Sequence, residues 1–438
     1  MEKEIKLIVN KFLEKSKNKE TLIISHFDTD GITSAAVMIQ SLKGLDRKFS
    51  VKIVKSLEEK FIYELQKDKV ILFLDLASGS LNHIKKAGLK DVFIIDHHEV
   101  VQEIPECVTI LNPMLNTKES INSSSLTYLF CKEMNPENKK FAKLAVLGMI
   151  GDWLEKSIDK LNNSILEEGG IIKKRGLLLY PSTRPLNRTL EYSSQPYIQG
   201  VTGNSQGVLE LLREAEIGYV NKKYKSLIEL DEEEMKKLVT SIMLRNPKTK
   251  IKNIIGDIFL LKFFNKLEDA RELCALINGC SRLGKSDTAL KFCMEISDAK
   301  KEAESIYVKY KQHLISALDF VSKAEKIQDR GFVIINAGDN ITDTIIGTIT
   351  SILANSSIYE DGTIIISMAY YGDKIKVSAR NVGRIGRNVR EILDRVIKEV
   401  GGEVGGHEFA AGCNIDKSQE KKFIDTLRKN LEVELVKI

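Results

Sequence analysis

One heptad, Ser25-His26-Phe27-Asp28-Thr29-Asp30-Gly31, constrains the fold of this chain more than any other segment. It follows the apolar residues 22–24 directly and precedes a run of small and apolar residues, 32–37. This order predicts a buried strand, a turn that carries polar side chains, and a helix. Because His26, Asp28 and Asp30 alternate, an extended backbone would point all three to one side at the carboxyl end of the strand, where open α/β sheets bind ligands.

A calcium-binding loop is the alternative interpretation of the heptad. The pattern His-x-Asp-x-Asp-Gly falls in the frame of the EF-hand loop. That frame requires a bidentate Glu at its twelfth position, and the chain has Val37 there. The missing ligand argues against a calcium loop.

Apolar, β-rich segments at residues 21–25, 51–54, 70–74 and 91–95 alternate with helical segments. Such alternation predicts βαβ units and a parallel, doubly wound sheet. Two of these strands lead into further candidate ligands, Asp75 and the run Asp96-His97-His98. Taken alone, Asp75 is also compatible with a strand-end cap, and the histidine pair with a solvated loop.

Two helices are predicted after the sheet. Asn122, with the serines 123–125, opens the first, which we interpret as a helix cap, with phosphate binding at the helix N-terminus as a secondary interpretation. The second, over residues 141–150, ends at Gly151-Asp152. A carboxylate after an almost wholly apolar stretch needs a partner, and a metal ion would supply one.

A cluster of arginines lies close to Gly383 and Gly386, at the entrance of a helix predicted over residues 388–400: Arg380, Arg384, Arg387 and Arg390. A solvated basic face is one interpretation. The other is a phosphate-binding site, because guanidinium groups match phosphate oxygens and glycines allow close approach of the backbone.

Composition limits the class of protein. The 438 residues, 43% hydrophobic and 29% charged, indicate two or three globular domains. The net charge of +5 means that a nucleic acid would have to be bound by a local basic patch. Six cysteines without C-x-x-C spacing indicate reduced thiols in a cytoplasmic protein. We expect no signal peptide in the charged, amphipathic residues 1–19 and no membrane span.

The order and spacing of the heptad, Asp75, Asp96-His97-His98 and Gly151-Asp152 resemble the four motifs of the DHH phosphoesterase superfamily. Residues 401–412 resemble the glycine-rich signature of the DHH-associated C-terminal domain. Residues 184–203 and 275–284 are similar to segments of the archaeal RecJ-like exonucleases, although Gln199 replaces a proline that is usual there. The resemblance implies an α/β chain with three parts: a doubly wound DHH catalytic domain over 1–155, a helical connector over 156–265, and a smaller, mixed α+β DHH-associated substrate-binding domain over 266–438.

The resemblance also implies a site for two divalent metal ions. It assigns one ion to His26, Asp28 and Asp75, and the other to Asp30, Asp75, His97 and Asp152, with Asp75 as the bridge. Mixed imidazole and carboxylate ligands favour manganese, and magnesium could substitute. Two such ions activate water and stabilise the attacking and leaving oxygens of a displacement at phosphorus.

The resemblance suggests that His98 contacts the phosphoryl oxygens. Asp96 would accept a hydrogen bond from a ligand histidine and orient it. The Gly405-Gly406-His407 turn would add a donor beside the scissile phosphate. Further phosphates of the substrate would be bound by the arginines Arg380, Arg384 and Arg387.

Three functions fit these residues. We favour a single-strand-specific exonuclease for DNA or RNA, in replication, repair or RNA turnover, with replication or repair proteins as candidate partners. The first alternative is a phosphodiesterase for short oligonucleotides or cyclic dinucleotides, although such family members are typically shorter. The second is a replisome scaffold, like the inactive relative that supports the eukaryotic replicative helicase, but a scaffold should have lost ligands. The direction of digestion, the choice between DNA and RNA, and the oligomeric state stay open.

Overall fold

The computed structural model describes residues 1–116, 120–156, 158–193, 196, 198–220, 222–245, 254–356 and 358–436. For residues 156, 220, 384 and 433–436 it describes the backbone alone. The chain divides into two compact units. The first comprises Met1–Gly176, Tyr180–Thr183 and Gly256–Val308, and the second comprises Leu177–Leu179, Arg184–Ile255 and Lys309–Ile438.

The first unit begins with alternating helices and strands, as the apolar periodicity predicts. In chain order these are α1 (Glu2–Lys15), β1 (Thr21–His26), α2 (Thr29–Gly44), β2 (Phe49–Val54), α3 (Glu59–Tyr63), β3 (Val70–Leu74), α4 (Leu81–Ala87), β4 (Val92–Ile95), β5 (Val108–Leu111), α5 (Pro113–Asn116), α6 (Ser123–Met134), α7 (Ala142–Gly151), α8 (Lys160–Glu168) and β6 (Ile172–Leu177). Amphipathic α1 buries the apolar side of residues 5–12 against the core.

Strands β1 to β5 form one parallel sheet in the order β2-β1-β3-β4-β5. Side chains alternate between its two faces, because Ile23 and Leu72 join the core beneath α1, α2, α6 and α7, whereas Ile24 and Phe73 join the core beneath α3 and α4. The predicted doubly wound α/β fold is confirmed. Strand order reverses between β1 and β3, the point at which sheets of this kind bind ligands.

The middle of the chain, residues 156–265, was predicted to be a helical connector. It contains helices and also strands. After β6 come α9 (Leu186–Glu191), α10 (Ser205–Glu214), the hairpin β7 (Tyr219–Val220) and β8 (Lys223–Tyr224), α11 (Glu232–Arg245), β9 (Ile255–Phe263) and β10 (Lys266–Asp269). Strands β10, β9 and β6 form a second sheet. Residues 194, 195 and 197 of the segment similar to RecJ-like exonucleases lie outside the described residues.

Helices α12 (Ala270–Arg282) and α13 (Ser286–Cys293) follow, and α14 (Ser297–Lys323) leads into the second unit. Apolar residues of β9, α12, α13 and the start of α14, such as Phe259, Ile277 and Ala303, share one core with the parallel sheet. Residues 266–308 therefore belong to the first compact unit. The sequence had placed them in the third part of the chain, beginning at residue 266.

The last part of the second unit is a mixed α+β domain. Its elements are β11 (Ile327–Asp329), β12 (Phe332–Asn336), α15 (Asp343–Ala354), β13 (Ile364–Tyr371), β14 (Lys374–Asn381), α16 (Val389–Val400), β15 (Glu403–His407), β16 (Ala410–Asp416) and α17 (Glu420–Val436). The strands form one sheet in the order β11-β12-β13-β14-β16-β15. A two-residue hairpin turn at Gly372-Asp373 joins β13 to β14, since Tyr371 pairs with Lys374.

Two further predictions from the sequence concern the oxidation state of the cysteines and the absence of a membrane span. All six cysteines are free thiols, and five of them are buried. Within the described ranges, no helix combines the length and the apolar character needed to cross a bilayer.

Candidate metal centre

The carboxyl ends of three neighbouring strands bring the motifs together. Ser25 of β1 pairs with Leu74 of β3, so His26 and Asp75 end up side by side, and Asp96 follows the adjacent β4. Asp75 has a left-handed backbone with φ of 60°, which is uncommon for a residue with a side chain. Such a backbone is a mark of functional sites, where the surrounding structure maintains it.

The first group of candidate ligands consists of His26, Asp28 and Asp75. His26 Nδ1 lies 3.0 Å from Asp28 Oδ2 and 3.3 Å from Asp75 Oδ2. The extended backbone predicted through Asp30 is wrong, because α2 begins at Thr29 and Asp28 is its N-cap, with Oδ1 accepting from the Gly31 amide at 3.1 Å. The helix start turns Asp30 away from the other two ligands of the heptad.

The second group consists of Asp30, His97 and Asp152. His97 Nε2 lies 3.2 Å from Asp152 Oδ2, 3.9 Å from Asp30 Oδ2 and 3.5 Å from Asp75 Oδ1. Asp75 therefore directs one oxygen toward each group, and within each group the ligand atoms lie within 4.8 Å of one another. The structure brings all six predicted metal ligands together.

Asp30 is almost fully buried and is held by the N-terminus of α6. Its carboxylate accepts hydrogen bonds from Asn122 Nδ2 at 2.5 Å, from the Ser123 amide at 2.9 Å and from the Ser124 amide at 2.8 Å. Ser123 Oγ also donates to Asp75 Oδ1 at 3.0 Å. Asn122 is the N-cap residue of α6, as predicted, but its side chain makes no cap hydrogen bond and donates to Asp30 instead. The anion at this helix N-terminus is Asp30, which leaves those two amides unavailable to phosphate.

Helix α7 approaches the centre closely because it has a glycine there. A Cβ added at Gly148 would lie 2.4 Å from Ser124 Cβ, 2.6 Å from Asp30 Oδ1 and 2.7 Å from Asn122 Nδ2. All three distances are shorter than real contacts. Gly148 is therefore a residue of the site that the sequence motifs did not single out.

The electrostatics of the centre favour a bound cation. Burial raises the pKa of Asp75 and of Asp152 well above the ordinary value, and repulsion by Asp30 raises both further. Burial also raises the pKa of Asp30, against the attraction of His97. Asp152 Oδ2 is buried without a hydrogen-bond donor among the described residues, although His97 Nε2 lies close by. Clustered carboxylates and imidazoles of this kind fit manganese or magnesium.

Asp96 and His98 form a pair beside the two groups. The buried Asp96 carboxylate accepts from His98 Nδ1 at 2.7 Å, the His97 amide at 2.9 Å and the Ser78 amide at 3.1 Å. Burial alone would raise the pKa of Asp96, but these hydrogen bonds lower it. The hydrogen bond between Asp96 and His98 also raises the pKa of His98. The imidazole that Asp96 orients is thus that of His98, whereas for the candidate ligand His97 it holds only the backbone.

The glycine-rich turn of the second unit lies on the exposed edge strand β15, paired with β16. Gly405, Gly406 and His407 are all exposed. Gly406 has φ of 115°, and a Cβ there would lie 2.5 Å from Ala410 O, so this position requires glycine. Arg390 donates to Gly406 O at 3.0 Å.

The predicted arginine cluster divides in the structure. The Arg387 guanidinium is buried and donates to Leu431 O at 2.8 Å and Gly331 O at 2.9 Å, which assigns it to the packing of this domain rather than to a substrate surface. Arg380 is half-buried and bonds to Ser351 Oγ and to two backbone carbonyls. The Arg384 side chain is outside the described part of the chain.

Fold and site together define the class of protein. Family models match three regions of the chain: the DHH family N-terminal domain at residues 20–149, the DHH-CID domain at residues 179–255, and the DHHA1 domain at residues 330–432. The three models together match well over half of the chain. The chain belongs to the DHH family.

Individual relatives extend along nearly the whole chain. An uncharacterized protein of Methanocaldococcus jannaschii, MJ0831, is 28% identical over 96% of both chains. RecJ of Thermus thermophilus, solved with Mn²⁺, is 17% identical with a TM-score of 0.60, over 97% of this chain and 54% of that one. This chain thus spans about half of the length of that RecJ. CDC45 of Entamoeba histolytica is 10% identical with a TM-score of 0.68, over 98% and 99% of the two chains.

Proposed function

We propose that this chain is a metal-dependent phosphodiesterase that acts as an exonuclease on single-stranded DNA or RNA. The observation that carries the proposal is the pair of ligand groups sharing Asp75, one with His26 and Asp28, the other with Asp30, His97 and Asp152. Membership of the DHH family and the RecJ-like fold support it.

The side chains of the centre suit two divalent ions, manganese preferred and magnesium as a substitute. Bound there, such ions would supply Lewis acidity and charge neutralisation for attack of water on a phosphodiester. The chain's own contribution is rigidity, because the N-terminus of α6 holds Asp30 and Ser123 holds Asp75. Ligands held in this way need little reorganisation when substrate binds.

His98 is the candidate for contact with the phosphoryl group. Its pairing with Asp96 raises its pKa, which favours the doubly protonated ring with Nε2–H available as a donor. Half of its side chain is exposed, so a substrate oxygen can reach it. A charged donor beside the phosphodiester would stabilise the negative charge that develops in the transition state.

The second unit would contribute further contacts to the phosphates of the strand. Exposed His407, on a turn with Gly405 and Gly406, is the proposed donor to the scissile phosphate, and Arg380 and Arg384 are proposed contacts of neighbouring phosphates. Arg387 is omitted because its guanidinium is buried and donates to backbone carbonyls, whereas Arg380 is only half-buried.

A replisome scaffold is the second candidate, favoured by the likeness to CDC45 along almost the full length of both chains. A scaffold has no need of a ligand set. Here all six candidate ligands are in place, which favours catalysis. A phosphodiesterase for short or cyclic nucleotides would use the same centre and differs in the length of its substrate.

The test uses manganese and single strands labelled at either end, as DNA and as RNA. We expect shortening from one end, abolished by EDTA and restored by added manganese. Digestion of dinucleotides with no action on longer strands would favour the small-nucleotide enzyme. Failure to hydrolyse any of these substrates with manganese or magnesium would favour the scaffold.

A further inference from the structure

Trp153 occupies an unusual position beside the metal centre. It directly follows the candidate ligand Asp152, just beyond the end of α7, and its backbone is left-handed with φ of 62°. Its amide donates to Ile150 O at 3.2 Å. It is the only tryptophan of the chain, and 44% of its surface is exposed. A large apolar ring held at the surface next to a reaction centre suggests a binding role.

The indole is supported from within the same unit. The Arg271 guanidinium lies 4.8 Å from the Trp153 ring centroid, a cation–π distance, and 5.8 Å from that of Tyr180. Arg271 is largely buried and forms an ion pair with the buried carboxylate of Glu155, two residues after the tryptophan. A buried ion pair next to the indole restrains the ring, so little side-chain entropy would be lost when a ligand stacks on it.

We propose that Trp153 is a stacking platform for a nucleobase of the substrate, the base adjoining the phosphodiester at the metal centre. This inference rests on the proposed function. A nucleotide whose phosphate lies at the metal centre carries its base one sugar away, and an exposed indole next to Asp152 in the chain is the flat, apolar surface that such a base binds. Because every base has a π face, this contact would be tolerant of sequence.

Fluorescence provides the first test, since the chain has a single indole. The probe is a phosphorothioate-linked dinucleotide, which resists hydrolysis, added to the protein with manganese. We expect saturable quenching by this probe and much weaker quenching by an analogue in which one base is replaced by hydrogen. Equal quenching by the dinucleotide and by an analogue lacking both bases would overturn the stacking.

The second test is a double-mutant cycle on ordinary dinucleotides. Trp153→Leu should lower kcat/KM for the intact dinucleotide by about 5- to 150-fold, the range for one base–aromatic stack. Removing the base from the substrate should lower kcat/KM strongly in the wild type and not at all in Trp153→Leu. Trp153→Phe should restore part of the kcat/KM for the intact dinucleotide and part of its dependence on the base. Tyr63 on α3 is a similarly exposed aromatic residue, so Tyr63→Leu is the matched control. It should leave kcat/KM unchanged for both the intact and the abasic dinucleotide.

An equal loss on intact and abasic dinucleotides would mean that Trp153 supports the structure only, and would refute the inference while leaving the proposed function standing. Absence of hydrolysis by the wild type of both dinucleotides and longer single strands would refute the proposed function instead. In that case the quenching experiment still decides the stack, because it measures binding.

Discussion

Gly148→Ala should damage the metal centre from a position that is itself no ligand. The new methyl group would meet Ser124 Cβ, Asp30 Oδ1 and Asn122 Nδ2 at 2.4–2.7 Å. Overpacking of this kind costs about 1–3 kcal/mol, against a gain of about 0.8 kcal/mol from the helix propensity of alanine. Without metal we therefore expect a loss of about 0–2 kcal/mol in the free energy of unfolding.

Added metal should enlarge the difference in the free energy of unfolding between the wild type and Gly148→Ala. Manganese at a hundred times its Kd stabilises a protein with one site by about 2.7 kcal/mol. If the methyl group displaces Asp30, Gly148→Ala loses this gain, and the total deficit grows to about 3–5 kcal/mol. The assay is urea unfolding in EDTA and in manganese, with hydrolysis measured on the same samples.

Gly44→Ala is the matched control for this change. Gly44 is the last residue of α2, and a Cβ there would have no atom within 4 Å among the described residues. We expect this variant to be as stable as the wild type or slightly more so, with the full response to manganese. An equal manganese-induced gain in Gly148→Ala and Gly44→Ala would refute the packing argument.

Two further changes test the assignments outside the metal centre. Arg387→Ala should lower the free energy of unfolding by about 2–3 kcal/mol, because the buried carbonyl of Leu431 and the part-buried carbonyl of Gly331 each lose a donor. Unchanged stability with weaker binding of long strands would instead make Arg387 a substrate contact. Burial opposes the ionisation of Asp91, but its hydrogen bonds to lysines, chiefly Lys19, lower its pKa, so it stabilises the fold above its unfolded pKa of about 3.9 and less as pH falls through its lower folded pKa. Asp91→Asn should therefore cost on the order of 1 kcal/mol at pH 7 and progressively less as the pH falls below about 3.9. A difference in the free energy of unfolding that stays constant as the pH is lowered would contradict the pairing.

Most of the candidate ligands could be picked out from the sequence because their positions depend on local order. His26 ends the short apolar strand β1, and Asp75 and His97 come within two residues after β3 and β4. Neighbouring parallel strands must deliver such residues to one edge of the sheet. Asp152 was predictable for a different reason, since a carboxylate at the end of an apolar helix needs a partner.

The supports of the site were not predictable in the same way. The motif Asn122-Ser-Ser-Ser is typical of a helix cap, and only the packing of α6 against α2 shows that its donors bind Asp30. The burial of Arg387 likewise depends on α17, which begins 33 positions later in the chain, so local sequence gives no sign of it. A buried aspartate in the first turn of α2, which needs donors from elsewhere, is the one signal that could have pointed to α6.

Asp75 is proposed to serve two ligand groups at once, and Asp75→Asn tests this role most directly. Asparagine tolerates the left-handed backbone at this position, so the fold should survive. Burial and repulsion by neighbouring carboxylates disfavour the charged form of Asp75. In EDTA, the free energy of unfolding of Asp75→Asn should therefore equal that of the wild type or be slightly higher. Asp91→Asn is the control that makes the same chemical change outside the centre.

The measurement is the turnover of a single-stranded oligonucleotide in saturating manganese by the wild type and by these two variants. We predict that Asp75→Asn loses all but a small fraction of activity and that Asp91→Asn retains it. Turnover by Asp75→Asn above about a tenth of the wild-type rate, a loss under about 1.4 kcal/mol in the barrier, would contradict the shared-ligand account.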